Sequence, residues 1–121
     1  MKKLTWNIPL RTVSELNCSQ HWTAKAKRHR MQKKIVKIAM SKDIKEVILP
    51  CKITLIRLAE RELDSHDNLP SSFKYICDQI CELLIPGLAT GRADDDKRIE
   101  VAYKQEKAKR TTLRVEIEYG E

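Results

Sequence analysis

The segment from Phe73 to Leu84 places the tightest constraint on what this chain can fold into. Phe73, Ile76, Cys77, Ile80, Leu83 and Leu84 recur at spacings of three and four, so they form one stripe of a helix and must be buried against something. Pro70 suits the first turn, where no amide donor is needed, and Pro86-Gly87 stops the helix, which is expected from about Leu69 or Ser71 to Leu84. The neighbouring runs have strand character. Lys3 to Ile8 alternates and ends at Pro9, Cys51 to Leu58 carries Ile53, Leu55, Ile56 and Leu58 and reads as a buried strand, and Ile99, Val101 and Tyr103 alternate with Glu100, Ala102 and Lys104. Leu113, Val115, Ile117 and Tyr119 alternate again, and Glu106 to Arg110 reads as the hairpin loop joining the last two runs. A chain of 121 residues supports one modest core, so these pieces must share it. The expectation is a single α+β domain over residues 1–121, a small mixed sheet of about four strands with two main helices.

The other main helix is expected from about Thr23 to Lys42, a stretch without Pro or Gly in which Met31, Ile35, Ile38 and Ala39 form the apolar stripe. Its remaining surface is basic. Lys25, Lys27, Arg28, Arg30, Lys33, Lys34 and Lys37 accumulate with no acidic residue between Glu15 and Asp43. Like charges at helical neighbour spacing cost a few tenths of a kcal/mol each, a cost that a bound polyanion removes. A solvated lysine-rich face is the commoner explanation in proteins at large. Here the length of the run, with Trp22 and His29 beside it, favours contact with DNA or RNA. Anionic lipid is a weaker alternative, because the apolar stripe is thin and lacks bulky aromatics.

Composition narrows the classes further. Hydrophobic residues make up 41% and charged residues 34%, a globular balance, and 24 Lys and Arg against 17 Asp and Glu leave a net charge of +7 that weights the partners toward polyanions. No apolar run approaches the roughly 20 residues of a membrane-spanning helix, and Met1 to Trp6 lacks the hydrophobic centre of a signal peptide, so a cytoplasmic protein is expected. Cys18, Cys51, Cys77 and Cys81 form no CxxC pair, which disfavours a zinc knuckle and favours free buried thiols. Gly87, Gly91 and Gly120 are too scattered for a phosphate-cradling loop, which sets a nucleotide cofactor aside.

Against this basic background stand two acidic clusters, Asp64 with Asp67, and Asp94-Asp95-Asp96. Crowded carboxylates raise each other's pKa, and solvent, basic neighbours or a divalent cation relieve the crowding. Taken singly, each cluster has a plain structural explanation: Asp67 and Asn68 as helix caps, and Asp94 to Asp96 as a polar turn. Taken together, they flank one amphipathic helix. Three Asp side chains converging from these two loops would supply the few hard oxygen ligands that Mg²⁺ prefers. Lys74, seven residues after Asp67 and on the same expected helix face as Ser71 and Asp78, would help neutralise charge on a phosphodiester.

These residues resemble a family. Leu63-Asp64-Ser65-His66-Asp67-Asn68-Leu69, Phe73-Lys74 and Gly91-Arg92-Ala93-Asp94-Asp95-Asp96 look like the motifs of the RusA-type Holliday junction resolvases, small phage and bacterial endonucleases. The likeness extends to Ile8-Pro9, the Ser14 to Trp22 loop and the basic helix, although Ser65 and His66 separate aspartates that the best-known pattern sets one residue apart. What it implies is a bacterial or phage-encoded homodimer that binds four-way DNA junctions and nicks them symmetrically with Mg²⁺ in recombination and repair. By that likeness Asp64, Asp67 and Asp96 would hold the metal, with Asp95 as a fourth ligand and Mn²⁺ able to replace Mg²⁺, and Lys74 would assist. That implication requires Asp67 and Asp96 to meet in space. The reading from a different class is a noncatalytic nucleic-acid-binding module whose acidic loops only cap helices.

Overall fold

The computed structural model describes residues 1–14, 20–65, 67–87 and 96–120. Its elements run β1 (Lys2–Ile8), α1 (Trp22–Met40), a single 3-10 turn (Asp43–Glu46), β2 (Cys51–Ala59), α2 (Asn68–Ser72), α3 (Lys74–Leu84), β3 (Ile99–Lys107) and β4 (Thr112–Tyr119). The fold is α+β, with one four-stranded mixed sheet in the order β1-β4-β2-β3. No helix among the described residues is long and apolar enough to cross a membrane.

The apolar weight of β2 has a direct structural cause, because it is an inner strand with neighbours on both edges. It pairs parallel with β3, from Cys51 opposite Ile99 to Ala59 opposite Lys107, and antiparallel with β4, from Cys51 opposite Tyr119 to Leu58 opposite Thr112. Alternation then sends Ile53 and Leu55 into the main core with Leu113, Val115, Ile117, Trp6 and Ile8, under the helix residues Val36, Met40, Phe73, Ile76 and Ile80. Ile56, on the opposite face, is only 2% exposed although it lies outside that cluster. Its cross-strand neighbours are Arg114 and Lys104, long charged side chains whose stems can cover apolar surface.

Three expectations need correction. The apolar side of α1 is Gln32, Val36 and Met40, an i, i+4 ladder; Ile35 is half-buried, while Met31 (51%), Ile38 (71%) and Ala39 are exposed. Apolar residues occur around most of this helix, and the deciding position is a polar one, Gln32, whose amide reaches the Arg11 carbonyl. The second helix is broken. Phe73, at φ −105° and ψ 0°, separates α2 from α3, so Asp67 and Ser71 do not share one continuous helix with Lys74 and Asp78. Finally, β3 and β4 are not a hairpin. They lie on opposite sides of β2, and the connection through residues 108–111 passes over the end of β2, where the Ala108 amide donates to the Ala59 carbonyl at 3.0 Å.

Candidate functional site

The parallel pairing of β2 and β3 dictates what this chain can bring together. The segment that leaves β2 must return to start β3 at the opposite end of the sheet, so α2 and α3 carry the chain from one end to the other. Residues just after β2 and residues just before β3 therefore occupy different ends. Asp64 and Asp67 belong to the first group and Asp96 to the second.

The first end is tightly organised. Gln105 of β3 grips the backbone of Leu63 with both halves of its amide, accepting from the Leu63 N–H at 2.9 Å and donating to the Leu63 carbonyl at 2.7 Å. This fixes the start of the acidic loop. Asp64 Oδ1 then accepts from the Asp67 N–H at 2.8 Å and the Asn68 N–H at 3.4 Å, while Asp64 Oδ2 accepts from Asn68 Nδ2. The backbone carbonyl of Asp64 accepts from Leu69 N–H at 2.9 Å, and Leu69 is buried beneath the loop. Asp64 thus performs the capping that the residue pattern suggested for Asp67. Position 67 is the formal start of α2, yet its carboxylate makes no capping bond and no other hydrogen bond or ion pair among the described residues.

Two serines complete this network, and neither stood out as a candidate in the sequence. Ser14 Oγ donates to Asn68 Oδ1 and lies 3.5 Å from Ser71 Oγ, which itself donates to the Asn68 carbonyl at 3.1 Å. The amide of Asn68 is thereby oriented from both sides, its Nδ2 toward Asp64 and its Oδ1 toward Ser14. The available signal for Ser14 was its place in the polar segment after β1, but no spacing along the chain ties that segment to a loop more than fifty residues away.

Lys74 opens α3, with its Nζ 5.4 Å from the centroid of the Tyr75 ring. Tyr75 in turn stacks on His29 of α1 at 3.6 Å and 18°. The basic helix and the helix that follows the acidic loop are therefore joined by a lysine, tyrosine and histidine series. On α1, Lys27, Arg30, Lys34 and Lys37 are exposed, and Lys25, Arg28 and Lys33 are half-buried. Arg28 donates to the Gln20 side chain at 2.9 Å. The four exposed cations recur at spacings of three and four on the side away from Gln32, Val36 and Met40.

The other end holds Asp96 in a different electrostatic state. Arg98 donates to it through Nε (3.0 Å), Nη2 (2.9 Å) and its backbone N–H (2.9 Å), and this pairing lowers the Asp96 pKa from 3.8 to about 2. The Asp96 carbonyl accepts from the Ile99 N–H, and the Arg98 carbonyl accepts from the Cys51 N–H, so the group is anchored at the first residues of β2 and β3. The Cys51 thiol nearby is pushed up to about 11 by burial, which leaves it protonated and unreactive at neutral pH. Cys77 and Cys81 are buried on α3, as expected of helix core neighbours.

Gln105, which holds the acidic loop, lies six residue steps along β3 from Ile99, on the order of 20 Å of extended strand. Asp64, Asp67 and Asp96 of one chain consequently do not converge on a common ion, and no group of three or more His, Cys, Asp or Glu side chains among the described residues could hold a metal. Asp94, Asp95, His66 and Cys18 lie outside the described residues. Asp64 and Asp67 do share one turn, tied by the bond from the Asp67 N–H to Asp64 Oδ1. No protein-family model matches the chain, and no curated protein matches it at a significant level.

Proposed function

We propose that this protein is a Mg²⁺-dependent endonuclease of branched DNA, acting as a homodimer on four-way junctions in the manner of the RusA-type resolvases that its motifs resemble. The observation that carries this reading is the state of the acidic loop. Asp64 is held rigidly, and Asp67 projects its carboxylate with no partner among the described residues, at a loop joined through α2 to Lys74 and the basic helix. A bound Mg²⁺ would activate water and stabilise charge on the phosphodiester. The roles of the chain itself are more specific: Asp64 and Asp67 supply the hard oxygen donors, Asn68 and Ser14 hold Asp64 in place, and Lys74 offsets developing negative charge. Lys25 to Lys37 track the phosphates. The required meeting of Asp67 and Asp96 fails within one chain, so this reading stands only if Asp96 joins the site from the second copy.

A second reading is favoured by the bonding of Asp64 and Asp96. Both carboxylates are engaged within the chain, one as a cap and one with Arg98, as in a noncatalytic binder of structured nucleic acid. A synthetic four-way junction separates the two. Mg²⁺-dependent paired nicking that disappears in Asp67→Asn supports the nuclease, and junction binding without any nicking supports the binder.

A further inference from the structure

The end of the sheet that carries the acidic loop also carries a group of cations that the basic helix does not include. Arg11, Arg57, Arg61 and Lys109 line a cavity of about 330 Å³ whose wall contains one carboxylate, Glu60. They arrive from three separate segments: after β1, on and after β2, and on the connection that crosses over the end of β2. This meeting is a product of the topology. Had β3 and β4 formed a hairpin, residues 108–111 would not pass over Ala59, and Lys109 would not reach the mouth of this cavity.

Arg57 is the fixed member. Its Nε donates to the hydroxyl of Thr12 (3.1 Å), a residue only 4% exposed, and its Nη1 donates to the Arg61 carbonyl at 2.5 Å. Both partners are neutral. Burial and the charge of Arg11 both lower the Arg57 pKa, so the fold holds two guanidinium groups near each other without compensation. Among the described residues none of Arg11, Arg57, Arg61 and Lys109 makes an ion pair, whereas Lys3, Lys52, Arg98 and Arg114 elsewhere on the sheet are each paired with a carboxylate. Uncompensated guanidinium groups around a concave polar site suit a tetrahedral oxyanion, since each can present two parallel N–H donors. The position is also specific. Arg57 is the register partner of Gln105, the residue that grips Leu63 next to Asp64, so the cavity and the acidic loop are held by adjacent strands about 5 Å apart.

We propose that this cavity binds one phosphate of a nucleic-acid backbone and so sets where the strand lies relative to Asp64 and Asp67. The inference rests on the nucleic-acid reading above and extends it to residues outside the basic helix. Free inorganic phosphate is the other source of the same oxyanion.

The test uses fluorescence anisotropy of a labelled four-way junction over a range of salt concentrations in EDTA, so that no cleavage intervenes. The double variant Arg11→Gln/Arg61→Gln leaves Arg57 and its Thr12 bond in place, and Lys109→Gln serves as an independent variant should the double variant fold poorly. One lost phosphate contact flattens the slope of log K against log salt by about 0.9. That flattening, with affinity lower by about tenfold, is the expected result. Lys34→Gln/Lys37→Gln on α1 is the comparison. If the α1 variant weakens binding and neither cavity variant changes the slope, the cavity inference is overturned while DNA binding stands. If the wild type binds neither junction nor duplex, both fall together. A ³¹P NMR titration with inorganic phosphate provides the remaining arm: phosphate binding that the cavity variants abolish, with an unchanged junction slope, means that the cavity takes free phosphate and overturns the backbone assignment.

Discussion

The two ends of the sheet use the same residue types for opposite purposes. Where β3 begins, Asp96 and Arg98 satisfy each other through three hydrogen bonds, and the neighbouring Cys51 is a buried, protonated thiol. Where β2 ends, the charges are separated. Asp67 has no partner among the described residues, and four cations line a cavity without an ion pair. Neutralised pairs at an exposed surface add little to stability, while unneutralised charge gathered at one place costs stability and marks where a ligand of opposite charge is expected. The lesson is that charge composition alone does not locate a site. Position relative to the parallel strand pair, and whether each charge already has its counter-charge, does.

The sharpest way to break this comparison is to ask whether the far end acts at all. If Asp96 serves a second copy, mixing refolded Asp67→Asn and Asp96→Asn chains gives heterodimers in which one site keeps both aspartates. Cleavage of a four-way junction should then recover from a loss on the order of a thousandfold, the scale of several kcal/mol of transition-state stabilisation, to a substantial fraction of wild type. Recovery requires Asp96 to act across the subunit boundary. Two inactive variants that stay inactive when mixed would remove Asp96 from the proposed site in trans.

A smaller effect separates the two duties of Asp64. Asparagine is as good a helix cap as aspartate, so Asp64→Asn should unfold in urea near the wild-type midpoint yet lose Mg²⁺-dependent cleavage. Asp64→Ala should lose both, with a stability cost of about 1 kcal/mol for the cap. Cleavage retained by Asp64→Asn would restrict this residue to holding the loop.

The smallest effect concerns Asp96 and pH. Its folded pKa, about 2, lies below the ordinary 3.8, so the stability from its pairing with Arg98 is present above about pH 4 and is lost as pH falls through the folded value. NMR titration of the Asp96 carboxyl should give a midpoint near 2 in the wild type, and Arg98→Gln should move it back toward 3.8. A wild-type midpoint already near 3.8 would mean that the two ends differ less than the geometry indicates.

Much of the architecture was legible from local pattern, for reasons that differ by element. Period-two alternation marks one face of each strand, and the stripe of α3 is unambiguous because its other face is polar. The acidic loop was legible only in part: Asp64, Asp67 and Asn68 act over three or four residues, the range within which sequence spacing implies contact, but the capping carboxylate is Asp64 and not Asp67. Two of the misreadings involve a choice made elsewhere in the molecule. In α1, apolar residues surround the helix, and the carbonyl of Arg11 helps decide that Gln32 faces inward. The supposed hairpin failed because β2 offers two free edges, and β4 takes the edge on the β1 side while β3 takes the other.

The sequence by itself determined a basic α+β domain with a helix-capping aspartate loop after its most apolar strand, because hydrophobic period, capping chemistry and charge are properties of neighbouring residues. Tertiary structure alone decided which charges meet. A parallel β2–β3 pair sends Asp96 to the far end, and a connection over β2 brings Lys109 to Arg57 and Arg61. Strand direction and strand order are set by the packing of the whole sheet, and no spacing along the chain encodes them.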